Sequence, residues 1–153
     1  MKKYLLVIHL FFIAGMCNGQ DERPYVKTSF VIIQSTKNYN AAKATAEKAA
    51  QQLQQKLDLR DLKPNKKNGL TYSEKDCENE GGYPCYISRG RYDSGDYISI
   101  EWSDAFDGFT KGYYIVVVAS GSTEETATAL KKAKRIFKDA YSKQCEVYVG
   151  CMH

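Results

Sequence analysis

The chain has 153 residues, 43% of them hydrophobic, with 22 Lys and Arg against 18 Asp and Glu for a formal charge of +4. That length suits one domain whose core stands without metal or dense disulfides. The weak positive balance, with no basic stripe interleaved with aromatics, excludes a nucleic-acid-binding composition.

Residues 1–19 read as an export signal. Lys2 and Lys3 form a basic start, 5–14 is an apolar run broken only by His9, and Cys17, Asn18 and Gly19 offer a cleavage region. The run is shorter than the roughly 20 apolar residues that span a bilayer. Gln20 is the expected mature N-terminus. Lipidation at Cys17 is the minor alternative, because Met16 is a poor residue before a lipidated cysteine. Loss of Lys2 and Lys3 lowers the formal charge to +2. The expected location is periplasmic or secreted, with no transmembrane segment after cleavage. Residues 20–153 then read as one domain.

An apolar strand over 30–35 leads into a helix predicted over 41–57. Ala42, Ala46, Ala49, Ala50, Leu53 and Leu57 recur on one face of a 3.6-residue period. Residues 58–84 form a long polar connection rich in Asn, Gly and Lys; such a connection is functional, disordered or tied down. A short strand over 85–88 is predicted to join, through the turn chemistry of 93–96, an alternating strand over 97–102. Ile98, Ile100 and Trp102 share its inner face, and Trp102 is expected to be largely buried beneath the helices. Residues 103–112 are too aromatic for a passive loop, so Phe106 and Phe109 are expected to tuck under the sheet edge.

The run 114–120 is continuously apolar, like 30–33, as central strands are. Ser122 and Glu125 form a capping box that opens a helix predicted over 123–141, with Ala127, Leu130, Ala133, Phe137 and Tyr141 inward. The lysines late in that helix complement its dipole and read as a solvated face. A last alternating strand over 145–150 puts Val147 and Val149 inward. The order is β-α-β-β(β)-α-β. It predicts an α+β, ferredoxin-like fold: an antiparallel sheet, both helices on one face, and the two helix-preceding strands in the middle.

Such a sheet leaves one face open. By alternation that face carries Tyr97, Ser99 and Glu101, with Tyr86 and Ser88 nearby and Glu146 and Tyr148 at the opposite edge. Tyrosine offers an apolar ring and a hydroxyl, which suits stacking on sugar rings. The competing reading is that tyrosines simply favour strand surfaces. Tyr86, Ser88, Tyr97, Ser99, Glu101 and Tyr148 are the candidate ligand-binding residues.

No catalytic grouping emerges. The mature chain has one histidine, His153, at its end, where a Cys–His or Ser–His pair would rest on a fraying terminus. Asp104, Asp107 and Glu101 have no spacing that separates them from ordinary loop acids. Cys151, Met152 and His153 are poorly placed to chelate, since neighbours on a strand point to opposite faces. The reading is therefore a non-enzyme with no metal and no cofactor.

Cys77, Cys85, Cys145 and Cys151 remain after export, and an oxidising compartment pairs cysteines. Cys145 and Cys151 on one strand lie too far apart to bond each other. Cys77–Cys85 closes a short loop around Gly81 and Gly82 and is favoured. The alternative joins Cys77 or Cys85 to Cys145 or Cys151.

The doubled strand–helix unit over 30–57 and 114–141, with a polar turn opening each helix and a closing strand over 146–149, resembles the SPOR (sporulation-related repeat) domain of bacterial envelope proteins. SPOR domains have a β-α-β-β-α-β fold and bind peptidoglycan glycan strands stripped of stem peptides. The resemblance implies peptidoglycan glycan as partner. An envelope protein is the other candidate, with the chain as a protein–protein interaction module, an inhibitor or assembly factor, working through 58–84.

Overall fold

The computed structural model describes residues 25–93 and 95–150. The export signal with Cys17, and the terminus Cys151, Met152 and His153, lie outside the described residues. In chain order the elements are β1 (Tyr25–Thr36), α1 (Tyr39–Leu53), β2 (Lys63–Asn65), β3 (Gly69–Thr71), α2 (Glu74–Cys77), β4 (Ser99–Trp102), a 3₁₀ turn (Ser103–Ala105), β5 (Tyr114–Gly121), α3 (Thr123–Lys134) and β6 (Tyr141–Tyr148). The main sheet runs β4-β5-β1-β6 and every neighbouring pair is antiparallel. The strands that precede the long helices, β1 and β5, are central. This is the ferredoxin-like α+β order that the sequence pattern predicts.

Both long helices are capped as their sequences dictate. Asn38 Oδ1 accepts the Ala41 amide at 3.2 Å, and Ser122 and Glu125 cap each other's backbone reciprocally. Both helices end earlier than their apolar periodicity suggests. Gln54 turns left-handed after Leu53, and Leu57 instead bridges in parallel to Ile98, just before β4. The Ile98 amide donates to the Lys56 carbonyl and the Asp58 amide to the Ile98 carbonyl, which covers the sheet edge there. The second helix stops at Lys134, and Tyr141 leaves it to pair with Ile32 of β1. A strand partner with eight residues to offer outweighs helix propensity there. Thr126 is buried where Ala127 was expected, and Ala127 is exposed. Val149 lies beyond β6 and is 37% exposed, not inward.

The helix-covered face of the sheet buries Val31, Ile33, Ile98, Ile100, Val116 and Val118 against Ala42, Ala46, Ala49, Leu53 and Ala133. Short alanines let α1 and α3 sit close to the strands, and each fully buried Val or Ile contributes about 1.5–3 kcal/mol. The other face is not open. Phe106 and Phe109, from the connection between β4 and β5, lie over Phe30, Ile32, Ile115, Val117, Cys145 and Val147. The Phe30 and Phe106 rings meet edge-to-face at 5.0 Å. The phenylalanines expected under the sheet edge thus form a lid over its middle.

The long polar connection is tied down. Leu62 and Leu70 are buried in the helix-side cluster, and β2 and β3 form a hairpin. Trp102 is half-buried rather than enclosed by the helices; its ring lies over Gly69 and against Tyr114 at 4.9 Å. A Cβ at Gly69 would stand 2.1 Å from that ring, and its φ is +71°, so two independent constraints require glycine. Cys77 and Cys85 are joined in a disulfide, Cα atoms 5.5 Å apart, as the sequence favours. Residues 85–88 are not a strand. Cys85 instead exchanges hydrogen bonds with the Thr71 hydroxyl, and its carbonyl accepts the Tyr72 amide.

Candidate functional site

Five of the six candidate ligand-binding residues are drawn into or around a buried polar network. Glu101 is fully buried. Arg60 donates to Glu101 Oε2 at 2.5 Å, Ser99 Oγ donates to Oε1 at 2.6 Å, and the Tyr86 hydroxyl turns inward onto the same carboxylate. Arg89, also fully buried, donates to Ser99 Oγ at 2.7 Å, Ser120 Oγ at 3.1 Å, and the Val117, Tyr97 and Gly95 carbonyls. Tyr97 is buried and bonds Asp93 at 2.9 Å, while Ser88 is half-buried and its carbonyl accepts the Arg91 amide. Tyr97, Ser99 and Glu101 are therefore a packed layer, not an accessible sugar platform.

The reason is local. Asp58 Oδ1 accepts the Arg60 amide, and Arg60 and Asp61 both adopt left-handed backbone angles. That turn aims Arg60 inward to meet Glu101. Burial pulls the Arg60 guanidinium toward neutrality, but the Glu101 carboxylate and neighbouring tyrosines outweigh it and hold its pKa above the ordinary value. Arg89 is pulled down by burial, with Glu101 opposing. Burial, then the Glu101 charge, pushes Tyr86 well above the usual tyrosine range. With both carboxylate oxygens and most guanidinium donors satisfied internally, the network fastens 58–97 onto the sheet. It offers little to a ligand.

Tyr148 stands apart from the other five. Cys145 and Val147 pack under Phe106 and Phe109, so alternation along β6 turns Tyr148 and Glu146 to the opposite side of the sheet from Glu101. Tyr148 pairs edge-to-face with exposed Tyr25 at 5.2 Å, and Arg91 lies over both the Tyr92 and Tyr148 rings. These rings spend their faces on one another and on one cation.

A groove of about 600 Å³ between the C-terminal end of α1 and α3 is lined by several groups already committed. Gln55 donates to the Val118 carbonyl, Lys132 to the Leu53 carbonyl, and Glu125 accepts the Ser122 amide.

A smaller slot, about 180 Å³, opens on the loop-covered face of the sheet, beside the Phe106 and Phe109 lid. Ile115 forms its floor. Phe109, Tyr113 and Tyr141 supply three rings, Ser35 and Thr110 hydroxyls, and Lys143 an ammonium. β1 and β5 slip register between Val31 and Gln34, so Ser35 pairs with Ile115 and joins the slot, where its hydroxyl and that of Tyr141 are 3.0 Å apart. Lys143 Nζ lies 4.7 Å from the Phe109 ring centroid, and Lys37 Nζ lies 5.3 Å from that of Tyr113. Rings, hydroxyls and cations converge here without an acid in the lining. An apolar ring of a polar ligand can stack while its edges are hydrogen-bonded.

Sequence reasoning missed this slot because Tyr141 was assigned to a helix and Lys143 to no element. One signal was available. Tyr141, Lys143, Cys145 and Val147 alternate with exposed residues, and that period-two pattern extends the last strand back to 141. The slip that presents Ser35 has no such signal. Among the described residues, no group of three His, Cys, Asp or Glu side chains is arranged to hold a metal, and no helix is long and apolar enough to cross a membrane. No protein-family model, curated protein or solved structure matches this chain.

Proposed function

We propose that this protein is an exported, non-catalytic binding module that takes a sugar ring of a glycan, with peptidoglycan glycan strands as the partner. The observation that carries the reading is the slot of Phe109, Tyr113 and Tyr141 over Ile115, rimmed by the Ser35 and Thr110 hydroxyls. Its volume suits one ring of a chain that continues across the surface, rather than an enclosed small molecule. Stacked rings with hydroxyls at their edges supply the two contacts that sugars require. The Cys77–Cys85 disulfide is compatible with an oxidising compartment outside the cytosol.

The alternative, a protein-interaction module working through 58–84, draws on the order of that segment. Its leucines Leu62 and Leu70 are however turned into the core.

The test is co-sedimentation with purified peptidoglycan, with and without amidase treatment to strip stem peptides. Wild type should sediment, and Tyr113→Ala and Tyr141→Ala should lose most of that binding. Tyr141 is exposed, so Tyr141→Ala should leave the unfolding free energy within about 0.5 kcal/mol of wild type. Tyr113 packs against the loop-side core and should cost more on truncation, about 1–2 kcal/mol. A wild-type protein that stays in the supernatant with every glycan preparation removes the proposal.

A further inference from the structure

Two cations at the slot, Lys143 in its lining and Lys37 over the Tyr113 ring, are unspent. Neither Lys37 nor Lys143 forms an ion pair with a carboxylate among the described residues; each ammonium is held over an aromatic ring instead. The slot lining contains no Asp or Glu. Asp107 and Lys143 both act electrostatically on the thiol of Cys145, with opposite sign, yet they make no ion pair with each other. A cation held over a ring is already partly stripped of water, and it still has donors to offer.

We propose that the slot selects a sugar bearing a carboxylate over a neutral one, with Lys143 as the primary partner of the acid and Lys37 as the outer cation. This rests on the sugar reading of the slot and adds its chemical class. The carboxylate would sit at the Lys143 rim while the sugar ring lies against Tyr113 and Tyr141. A partly exposed ion pair of this kind contributes modestly, on the order of fivefold in affinity, and weakens as salt rises.

The experiment titrates the mature protein with N-acetylglucosamine, with N-acetylmuramic acid, and with the methyl ester of the latter. Amide shifts at Ser35, Thr110 and Lys143 are followed by NMR. The acid and its ester have nearly the same bulk and differ in charge, so their affinity ratio reads the ion pair alone. The acid should bind about fivefold more tightly than the ester in low salt. That ratio should fall to about one in Lys143→Gln, survive in Lys143→Arg, and shrink in Lys37→Gln. Equal binding of acid, ester and neutral sugar at the slot overturns this inference and leaves the sugar reading standing. Slot resonances that respond to none of the three sugars remove both.

Discussion

The two faces of the β4-β5-β1-β6 sheet are covered by different physics. On one, α1 and α3 lay alanines on branched aliphatic side chains, and nearly all of the contact is apolar. On the other, irregular chain does the covering. Phe106 and Phe109 close the middle, and the Arg60, Glu101 and Arg89 network fastens the β4 side. An apolar interface of this kind loses stability in step with the volume changed, because few of its atoms demand a partner. A buried charge network does not, since removing one member leaves the others in a low-dielectric interior without compensation. The helix side should therefore degrade gradually, and the loop side should fail at single positions. The aromatic slot lies on the loop side because loops, unlike packed helices, leave gaps over a sheet.

The sharpest way to break this contrast is at Glu101. Glu101→Ala strands buried Arg60 and Arg89 and removes the acceptor of Tyr86, so it should cost about 3–5 kcal/mol in chemical denaturation. A loss under about 1 kcal/mol would mean that the network is not what holds the loop layer.

Replacing Cys77 and Cys85 together by Ser should come next. The sequence separation is 8, and the chain-entropy model gives such a closed loop roughly 2–3 kcal/mol. Hydrogen exchange should quicken first over 69–88, where Cys85 holds Thr71 and Tyr72. Uniform quickening over α1 and α3 would contradict a local role.

On the helix side, Ala46→Leu overfills a tight interface and should cost about 1–3 kcal/mol, without altering the sugar-induced shifts at the slot. A change in slot binding of the same size would show the two faces to be coupled.

The smallest effect is a pH dependence, to which Cys145 and the tyrosines of the network contribute. Burial raises Cys145 from 9.0 to about 12, and raises Tyr86 and Tyr97 above 10.0, with the Glu101 charge second for Tyr86 and the Asp93 hydrogen bond second for Tyr97. The folded state thus holds these protons more tightly than the unfolded chain. Their contribution is complete below about pH 9 and is lost as pH rises through the folded values. Urea midpoints should fall above pH 9, and Tyr97→Phe should flatten that fall. A midpoint unchanged up to pH 11 would count against buried tyrosines and thiol as its source.

How much of this was legible in the residues differs by face. The apolar runs at 30–33 and 114–118, the alanine period of 42–53 and the Ser122–Glu125 capping box are local patterns. Each reports its own environment because its period must match the element that buries it. Arranged as a ferredoxin-like sheet they lead to the order β4-β5-β1-β6, while the Cys77–Cys85 bridge is favoured separately by its short spacing. The loop-covered face carries no period. Glu101 alternates correctly with Ile100 and Trp102 and so read as exposed, but alternation only says which face a residue points to, never what lies over it. Arg60, forty-one positions earlier in the chain, reaches Glu101 through a left-handed turn that no composition announces. Tyr141 read as helix until strand pairing with β1 claimed it. The sequence by itself determined the central strands β1 and β5, the starts of the two long helices and the face they cover, because those are set by contacts within a few residues. Tertiary structure alone decided what covers the second face and where the slot opens, because both depend on residues far apart in the chain meeting across the sheet.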